Sequence, residues 1–435
     1  MKKKKIVIIG AGVTGMAIAY MLCKKGHNVK IYETKSMIGG IMHDVNFDQN
    51  TFLSGPFFFQ NNNVWLKEFL ELKENKNIFN EFNLSYGSYT DIFSKKKIIR
   101  NDYAHPVTNS EFKKIQKIKT YDLLINRLRQ YQPLIKNRLL NWLSKTYTKF
   151  DLLHEKCAAI IGIHRIFFTD EMENLRELKI KNTLIDELLG LPNNFYVKQK
   201  YLIPKKNFND FFNNYKKFLE KKGVQFFLNK KISLKIENKE IIFYSNREKI
   251  DSNESLIVWA ANPIPLFRAV KKFDLENSFQ KINLIFVDIK KISKKLINKY
   301  IQVYSLKNKI IRIYIYKIKN ITKLTAEFSC EVNNTQANNH INSLLKHFDK
   351  DLVLSGKIYS KKILKHNLIT KNDYLNLEKL SNNKLLIKND VICGSWEKFY
   401  REDRIKSTIE RIKNFEKNKK KISCIIQARL TSKRL

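Results

Sequence analysis

Gly10-Ala11-Gly12-Val13-Thr14-Gly15 sets three glycines at the spacing of a phosphate-binding turn, and the carboxylate of Glu33 follows where a ribose would be held. Residues of this kind bind rather than react. Gly10 allows a tight exit from a strand, Gly12 lets the backbone approach a pyrophosphate, and Gly15 lets a following helix close on the sheet. Ala11 and Thr14 complete the loop, whose N–H groups at a helix start suit an anion. Glu33 can accept hydrogen bonds from both hydroxyls of an adenosine ribose, and its charge disfavours a 2′-phosphate, so NADP is not expected.

The elements needed to position these residues are legible on either side of them. Ile6 to Ile9 is a β-branched run of the type buried on both faces of a parallel sheet. A helix is expected from about Thr14 to Lys25, with Ala17, Ile18, Met21 and Leu22 on one face and Gly26 as its stop. Val29 to Tyr32 then reads as the strand that delivers Glu33. Strand, glycine turn, helix, second strand and acid arrive in the order of a dinucleotide-binding unit.

The segment from Glu33 to Gly39-Gly40 resembles the one by which flavoproteins of the amine oxidase, protoporphyrinogen oxidase and UDP-galactopyranose mutase group extend that unit around FAD. The resemblance covers residues 1 to about 415. It implies an α/β fold, with a Rossmann-like FAD-binding domain and a discontinuous α+β substrate domain, the flavin ring sitting where the two meet. The expected parts of the cofactor domain are 1–75, 195–265 and 381–416; those of the substrate domain are 76–194, helical, and 266–380, rich in strands. Residues 417–435 form a basic linker and tail.

Further cofactor contacts come with the resemblance. Phe52 to Gln60 is similar to the stretch that passes the flavin around a Gly-Pro step, here Gly55-Pro56, although the mutase histidines are replaced by Phe57 and Gln60. Phe57 to Phe59 read equally well as core packing. Tyr201-Leu202-Ile203-Pro204, a helix over Phe208 to Lys222 and the stretch Gly223 to Asn229 match a return to the nucleotide-binding sheet, with Lys205 and Lys206 in place of the family's glycines. Ser255 to Pro263 reads as a buried strand ending in a small-residue turn. Leu385 to Gly394 resembles the closing strand, with Gly394 approaching the cofactor and Ile405 near the start of the last helix. Tyr400 and Arg401 fall where mutases carry phosphate- and flavin-contacting side chains. The cofactor is therefore expected to be FAD, held by Gly10, Ala11, Gly12, Thr14, Gly15, Glu33, Gly39, Gly40, Gly55, Pro56, Gly394 and Ile405.

Between these returns lie helical periodicities at Tyr121 to Leu143 and Leu175 to Leu191, then strands at Ile282 to Ile289, Tyr300 to Tyr304, Ile310 to Ile318 and Leu324 to Val332. Strict alternation puts Arg312, Tyr314 and Tyr316 on one face. If that face lines a cavity, Arg312 and Tyr314, with Tyr400 and Arg401, are candidate substrate residues; if it meets water, they are ordinary strand residues. His105 and His164 are the polar candidates of the helical part, and no residue is identified as a catalytic acid or base.

Composition narrows the partners. The formal charge of +41 over 435 residues comes from lysine spread along the whole chain, not from a localised stripe, so nucleic acid is not expected. A general attraction for anionic small molecules such as nucleotide sugars is. The five cysteines are far apart without a C-x-x-C pair, which speaks against a metal site and for a reducing compartment. No apolar stretch approaches a membrane span, and a cytoplasmic protein is expected. The end of the chain, Ile422 to Leu435, resembles the opening strand and loop of a sugar cytidylyltransferase of the spore-coat and capsule type, which would suggest a fused or co-acting partner and a role in surface polysaccharide synthesis. Three functions stay open: an FAD-dependent oxidoreductase acting on a sugar-related or amine metabolite, a mutase-like flavoenzyme contracting the ring of a nucleotide sugar, and a non-catalytic flavin-binding protein.

Overall fold

The computed structural model describes residues 4–55, 57–60, 63–75, 77–83, 85–92, 98–100, 105–106, 123–128, 133–157, 161, 166–167, 200–250, 255–270, 279–398 and 401–432. The chain forms two compact units, one made of residues 1–42, 212–275 and 372–435, the other of residues 43–211 and 276–371.

The first unit is built on a five-stranded parallel sheet in the order Gln225–Phe227, Asn28–Tyr32, Lys5–Ile9, Ser255–Trp259, Val391–Cys393. Numbered along the chain within this unit, that order is 3-2-1-4-5. It reverses beside Lys5–Ile9, and in such sheets ligands bind outside the carboxyl ends of the strands at that reversal. Ile6 to Ile9 and Ser255–Trp259 are buried throughout, as parallel strands covered on both faces must be. The helix Val13–Cys23 is also buried nearly all round, because it lies between the sheet and the long helix Arg401–Ser432. After Cys23 the chain turns through Gly26, which has φ 83° and whose N–H donates to the carbonyl of Cys23 at 2.8 Å.

The second unit carries a seven-stranded sheet in the order Val353–Asn367, Phe279–Lys291, Ile321–Phe328, Ile310–Ile318, Lys299–Tyr304, Ser85–Thr90, Ile98–Arg100. One face is apolar: Ile285, Val287, Ile301, Val303, Ile313, Ile315, Leu324 and Ala326 pack with Ala337, Ile341 and Leu344 of the helix Asn334–Leu345. The other face carries Tyr300, Gln302, Arg312, Tyr314, Tyr316, Lys323, Thr325 and Glu327. A smaller sheet of Phe59–Gln60, Tyr201–Pro204 and Phe79–Phe82 closes over a phenylalanine core. Phe59 is fully buried there, its ring 5.1 Å from that of Phe211 and 5.4 Å from that of Trp65.

Several local expectations change. Residues 76–194 open with strands, not helices: Phe79–Phe82, Ser85–Thr90 and Ile98–Arg100. The Tyr and Thr of Ser85–Thr90 favour an extended backbone, and pairing with Lys299–Tyr304 satisfies it. Helices do form at Leu124–Arg127 and Pro133–Thr146, while Leu175 to Leu191 lies outside the described residues. The expected closing strand from Leu385 is instead a short helix, Lys384–Lys388, followed by the strand Val391–Cys393. Asn383 sets that start, its side chain accepting from the N–H groups of Leu385 and Leu386. From Ile422 to Ser432 the tail is helical, continuous with the helix that begins at Arg401, where the cytidylyltransferase resemblance requires a strand. Neither Gly nor Pro interrupts this stretch, so a helix already running can continue through it.

Candidate functional site

At the reversal point of the parallel sheet the glycines do three different jobs. Gly10 has φ 104°, and a Cβ on it would lie 2.9 Å from the backbone nitrogen of Ala261, so only glycine fits between the first and fourth strands. A Cβ on Gly15 would run into the carbonyl oxygen of Gly10. Gly12 is different: a Cβ there would meet nothing nearer than Gly40 Cα at 3.8 Å. Gly12 is the N-cap of the Val13–Cys23 helix, which has neither a side-chain cap nor an acidic residue in its first turn. The first-turn N–H groups of that helix are therefore left for water or for an anion.

Gly39-Gly40 runs alongside this start. The N–H of Gly39 donates to the carbonyl of Ala11 at 2.8 Å, and Gly12 and Gly39 form a parallel bridge. Both glycines have positive φ, 105° and 67°; a Cβ on Gly39 would enter the ring of Phe212, and one on Gly40 would lie 3.1 Å from Gly12 Cα. Glu33 ties the arrangement together. Its Oε2 accepts from the N–H of Ala11 at 2.8 Å and its Oε1 from that of Lys35 at 3.0 Å. Each oxygen retains a second lone pair, and the carboxylate is only partly buried, so hydroxyls can still be accepted.

The carboxyl end of the fourth strand and the loop after the fifth complete this group. The N–H of Gly394 donates to the carbonyl of Trp259 at 2.9 Å, and a Cβ on Gly394 would lie 3.0 Å from that oxygen. Ala260 lies between the two: a Cβ on Gly394 would be 3.7 Å from its Cα and one on Gly15 would be 3.5 Å from its Cβ. Arg401, the first residue of the long helix, donates through Nη1 to the thioether of Met42 at 2.9 Å and through Nε to Glu402 at 3.2 Å. Ile405 is buried one turn on. Burial lowers the pKa of both guanidinium groups, that of Arg401 and that of Arg404, the latter to about 10. Gly10, Ala11, Gly12, Thr14, Gly15, Glu33, Gly39, Gly40, Gly394, Arg401 and Ile405 thus belong to one unit.

The other expected positions fall elsewhere. Gly55 is buried in the second unit, its carbonyl accepting from the N–H of Phe57 at 2.8 Å. Pro56, Tyr400 and His164, and the side chain of His105, lie outside the described residues. Arg312 and Tyr314 stand together on the polar face of the seven-stranded sheet, where neither faces open water. Arg312 forms an ion pair with Glu327 at 3.1 Å, and both side chains are largely buried. The Tyr314 and Tyr316 rings stack at 5.0 Å. The Tyr316 hydroxyl accepts from the N–H of Leu53 at 2.8 Å and meets Thr325 Oγ1 at 3.0 Å. Lys323 pairs with Asp288 at 2.7 Å, its ammonium 4.2 Å from the centre of the Phe52 ring. The Tyr314 hydroxyl is buried with no hydrogen-bond partner among the described residues, and desolvation holds its pKa well above the ordinary phenol value. Among the described residues, no group of three or more His, Cys, Asp or Glu side chains could hold a metal. No described helix is long and apolar enough to cross a membrane.

Residues 8–71 match the family model of NAD(P)-binding Rossmann-like domains. With the 3-2-1-4-5 sheet, this defines the first unit as a Rossmann-like dinucleotide-binding domain. Over 52 residues, the chain is 46% identical to a 4,4'-diapophytoene desaturase of Staphylococcus aureus, a match covering 12% of this chain and 10% of that protein. The chain therefore matches about a tenth of the length of such relatives. Among solved structures, reduced UDP-galactopyranose mutase superposes with TM-score 0.63 at 15% identity over 90% of this chain and 88% of that one. A protein of Exiguobacterium sp. 255-15, provisionally named a protoporphyrinogen oxidase, gives 0.62 at 11% over 96% and 100%. A triple mutant of putrescine oxidase gives 0.57 at 11% over 95% and 99%. The fold is that of the FAD-dependent amine oxidase, protoporphyrinogen oxidase and mutase group.

Trp396 escaped the sequence reading. Among the described residues its indole Nε1 has no hydrogen-bond partner, and it lies 3.4 Å from where a Cβ of Gly394 would be. A tryptophan two residues past a glycine is no signal by itself; the tertiary position makes it one.

Proposed function

We propose that the chain is an FAD-dependent oxidoreductase whose first unit holds the cofactor and whose second unit supplies substrate-binding side chains. The observation that carries this reading is the uncapped start of the Val13–Cys23 helix, bridged by Gly12 to Gly39 and flanked by Glu33. FAD fits the residues present there. Gly12 leaves room for a pyrophosphate where a side chain would intrude, the first-turn N–H groups of the helix suit its charge, and Glu33 can accept from the ribose hydroxyls. Gly394 and the start of the Arg401–Ser432 helix supply further backbone at the same sheet reversal. Bound FAD supplies the capacity to take a hydride from a carbon bearing a hydroxyl or an amine.

For the substrate we favour a sugar-related metabolite. Arg312 is committed to Glu327 and Lys323 to Asp288, so the charges on that sheet face are internally paired. What remains is a neutral donor, the Tyr314 hydroxyl, suited to an uncharged hydroxyl more than to a diphosphate or an ammonium group.

The test begins with the visible spectrum of the purified protein and the mass of its released cofactor. A flavin spectrum that bleaches under anaerobic conditions on addition of a nucleotide sugar or an amine, without dithionite, is the expected result. Furanose formed from UDP-galactopyranose only after dithionite reduction would replace this function by a mutase. Folded, colourless protein that takes up no FAD would overturn it.

A further inference from the structure

We infer that one end of the seven-stranded sheet is a docking surface for an anionic lipid bilayer, with Ile321 and Val353 entering the headgroup layer and the lysines around them meeting lipid phosphates. Strand pairing brings this surface together from separate stretches of the chain. On the strand Phe279–Lys291, Ile289 pairs with Thr322 on one side and with Leu354 on the other. One residue further out, Ile321 opens one neighbouring strand and Val353 opens the other, the latter opposite Lys291. Both side chains are exposed, at 46% and 45%. The strands that carry them are roughly 10 Å apart, with the end of Phe279–Lys291 between them.

Lysines surround this apolar pair, and the acids nearby do not cancel their charge. Lys290 and Lys291 end the middle strand, Lys294 and Lys295 lie on the 3-10 turn Lys294–Leu296 that follows, and Lys317 and Lys319 belong to the hairpin closed by the pair Ile318 and Ile321. All six are exposed. Asp288 is engaged by the buried Lys323, and Asp349 accepts from the backbone N–H groups of Ser293 at 2.6 Å and Asp351 at 3.0 Å. Asp351 meets Lys291 at 3.9 Å, whereas Lys290, Lys294, Lys295, Lys317 and Lys319 have no ion pair among the described residues. The base beneath them is fixed, because Leu296 is buried in the apolar core and the bond from Ser293 to Asp349 ties the turn to the segment after the helix Asn334–Leu345.

The side chains favour lipid over nucleic acid. A single-stranded nucleic-acid site sets aromatic rings for stacking among its cations, but here the large exposed apolar residues are aliphatic and Phe348 packs against the core. Aliphatic tips ringed by lysines suit the boundary between headgroups and acyl chains, and each lysine near an anionic surface adds to the attraction. The surface lies wholly in the second unit, so it stands or falls independently of the flavin reading.

The experiment is co-sedimentation of the full chain with vesicles of phosphatidylcholine alone and of phosphatidylcholine and phosphatidylglycerol in equal parts. Wild-type protein is expected to partition onto the anionic vesicles only, and to leave them at high salt. Because a formal charge of +41 attracts the chain to anions in general, K290Q/K294Q/K319Q is compared with K217Q/K221Q/K231Q, an equal loss of charge from exposed lysines of the first unit. The first variant should partition more than about tenfold more weakly and the second within about threefold of wild type. I321T/V353T keeps every charge and the β-branched shape, and should lose about fivefold. Melting temperatures matching wild type show that all three variants fold. Equal losses in the two lysine variants, wild-type partitioning of I321T/V353T, or a wild-type protein that ignores anionic vesicles would each overturn the inference. Weakened binding of a DNA oligonucleotide by K290Q/K294Q/K319Q, with vesicle partitioning unchanged, would overturn it in favour of a nucleic-acid surface.

Discussion

Gly12 and Gly15 lie three positions apart in one loop, yet the structure assigns them opposite sensitivities. A Cβ at Gly15 collides with the carbonyl of Gly10, so Gly15→Ala is expected to lower the melting temperature of flavin-free protein markedly, by about 2 kcal/mol or more of stability. Gly12→Ala meets only ordinary van der Waals distance and needs no unusual φ, so it should fold within about 1 kcal/mol of wild type while losing FAD affinity by more than about tenfold. Denaturant titration beside flavin binding separates the two. On the sheet of the second unit, Arg312→Met strands the carboxylate of Glu327, which is almost fully buried, and should cost about 3 kcal/mol. Tyr314→Phe removes a hydroxyl that has no partner; it should leave stability equal or slightly higher, while weakening substrate-dependent flavin reduction. Equal urea midpoints for R312M and wild type would refute the first of these, and a large drop for Y314F the second.

At the scale of elements, the sequence was most informative where a single period and a stop signal agreed. The run to Ile9, the helix ending at Gly26 and the strand ending at Tyr32 form as read, because buried β-branched runs and a glycine C-terminus leave few alternatives. Lys384–Lys388 is a helix where the sequence suggests a strand, because a short apolar run is compatible with either backbone and the Asn383 cap selects the helix. The long strand Val353–Asn367 went unread, since Lys357, Lys361 and Lys362 break its hydrophobic pattern, and its identity comes from pairing with Phe279–Lys291. The Asn334–Leu345 helix is fixed by a reciprocal capping box between Asn333 and Gln336. Asn333→Ala should destabilise the second unit by about 1 kcal/mol, measured by thermal melting, with Asn333→Ser close to wild type.

For the whole molecule, parallel strands that are neighbours in space are separated in sequence by one or other segment of the second unit: Asn28–Tyr32 pairs with Gln225–Phe227 across residues 43–211, and Ser255–Trp259 with Val391–Cys393 across residues 276–371. The contacts that close the first unit are accordingly long-range, and one of them is titratable. His27 is buried against Glu416 of the last helix, 3.8 Å away, with Lys4 and Lys25 also acting on it. Desolvation outweighs the attraction of Glu416 and holds the imidazole below its ordinary pKa. The folded state therefore favours neutral His27. Stability from this site is complete above the unfolded pKa of about 6.5 and is lost as pH falls through the folded value. The protein should melt lower at pH 5.5 than at pH 7.5, and His27→Gln should narrow that difference; an unchanged difference would remove His27 from the account.

The glycine turn, its helix and Glu33 are legible from the chain alone, because they are local in sequence and each residue type has one physical reason to be there. The surroundings of Arg312 and Tyr314 come from packing between strands. Whether a polar atom is paired depends on neighbours contributed by other strands, as Glu327 does for Arg312. No local pattern records that.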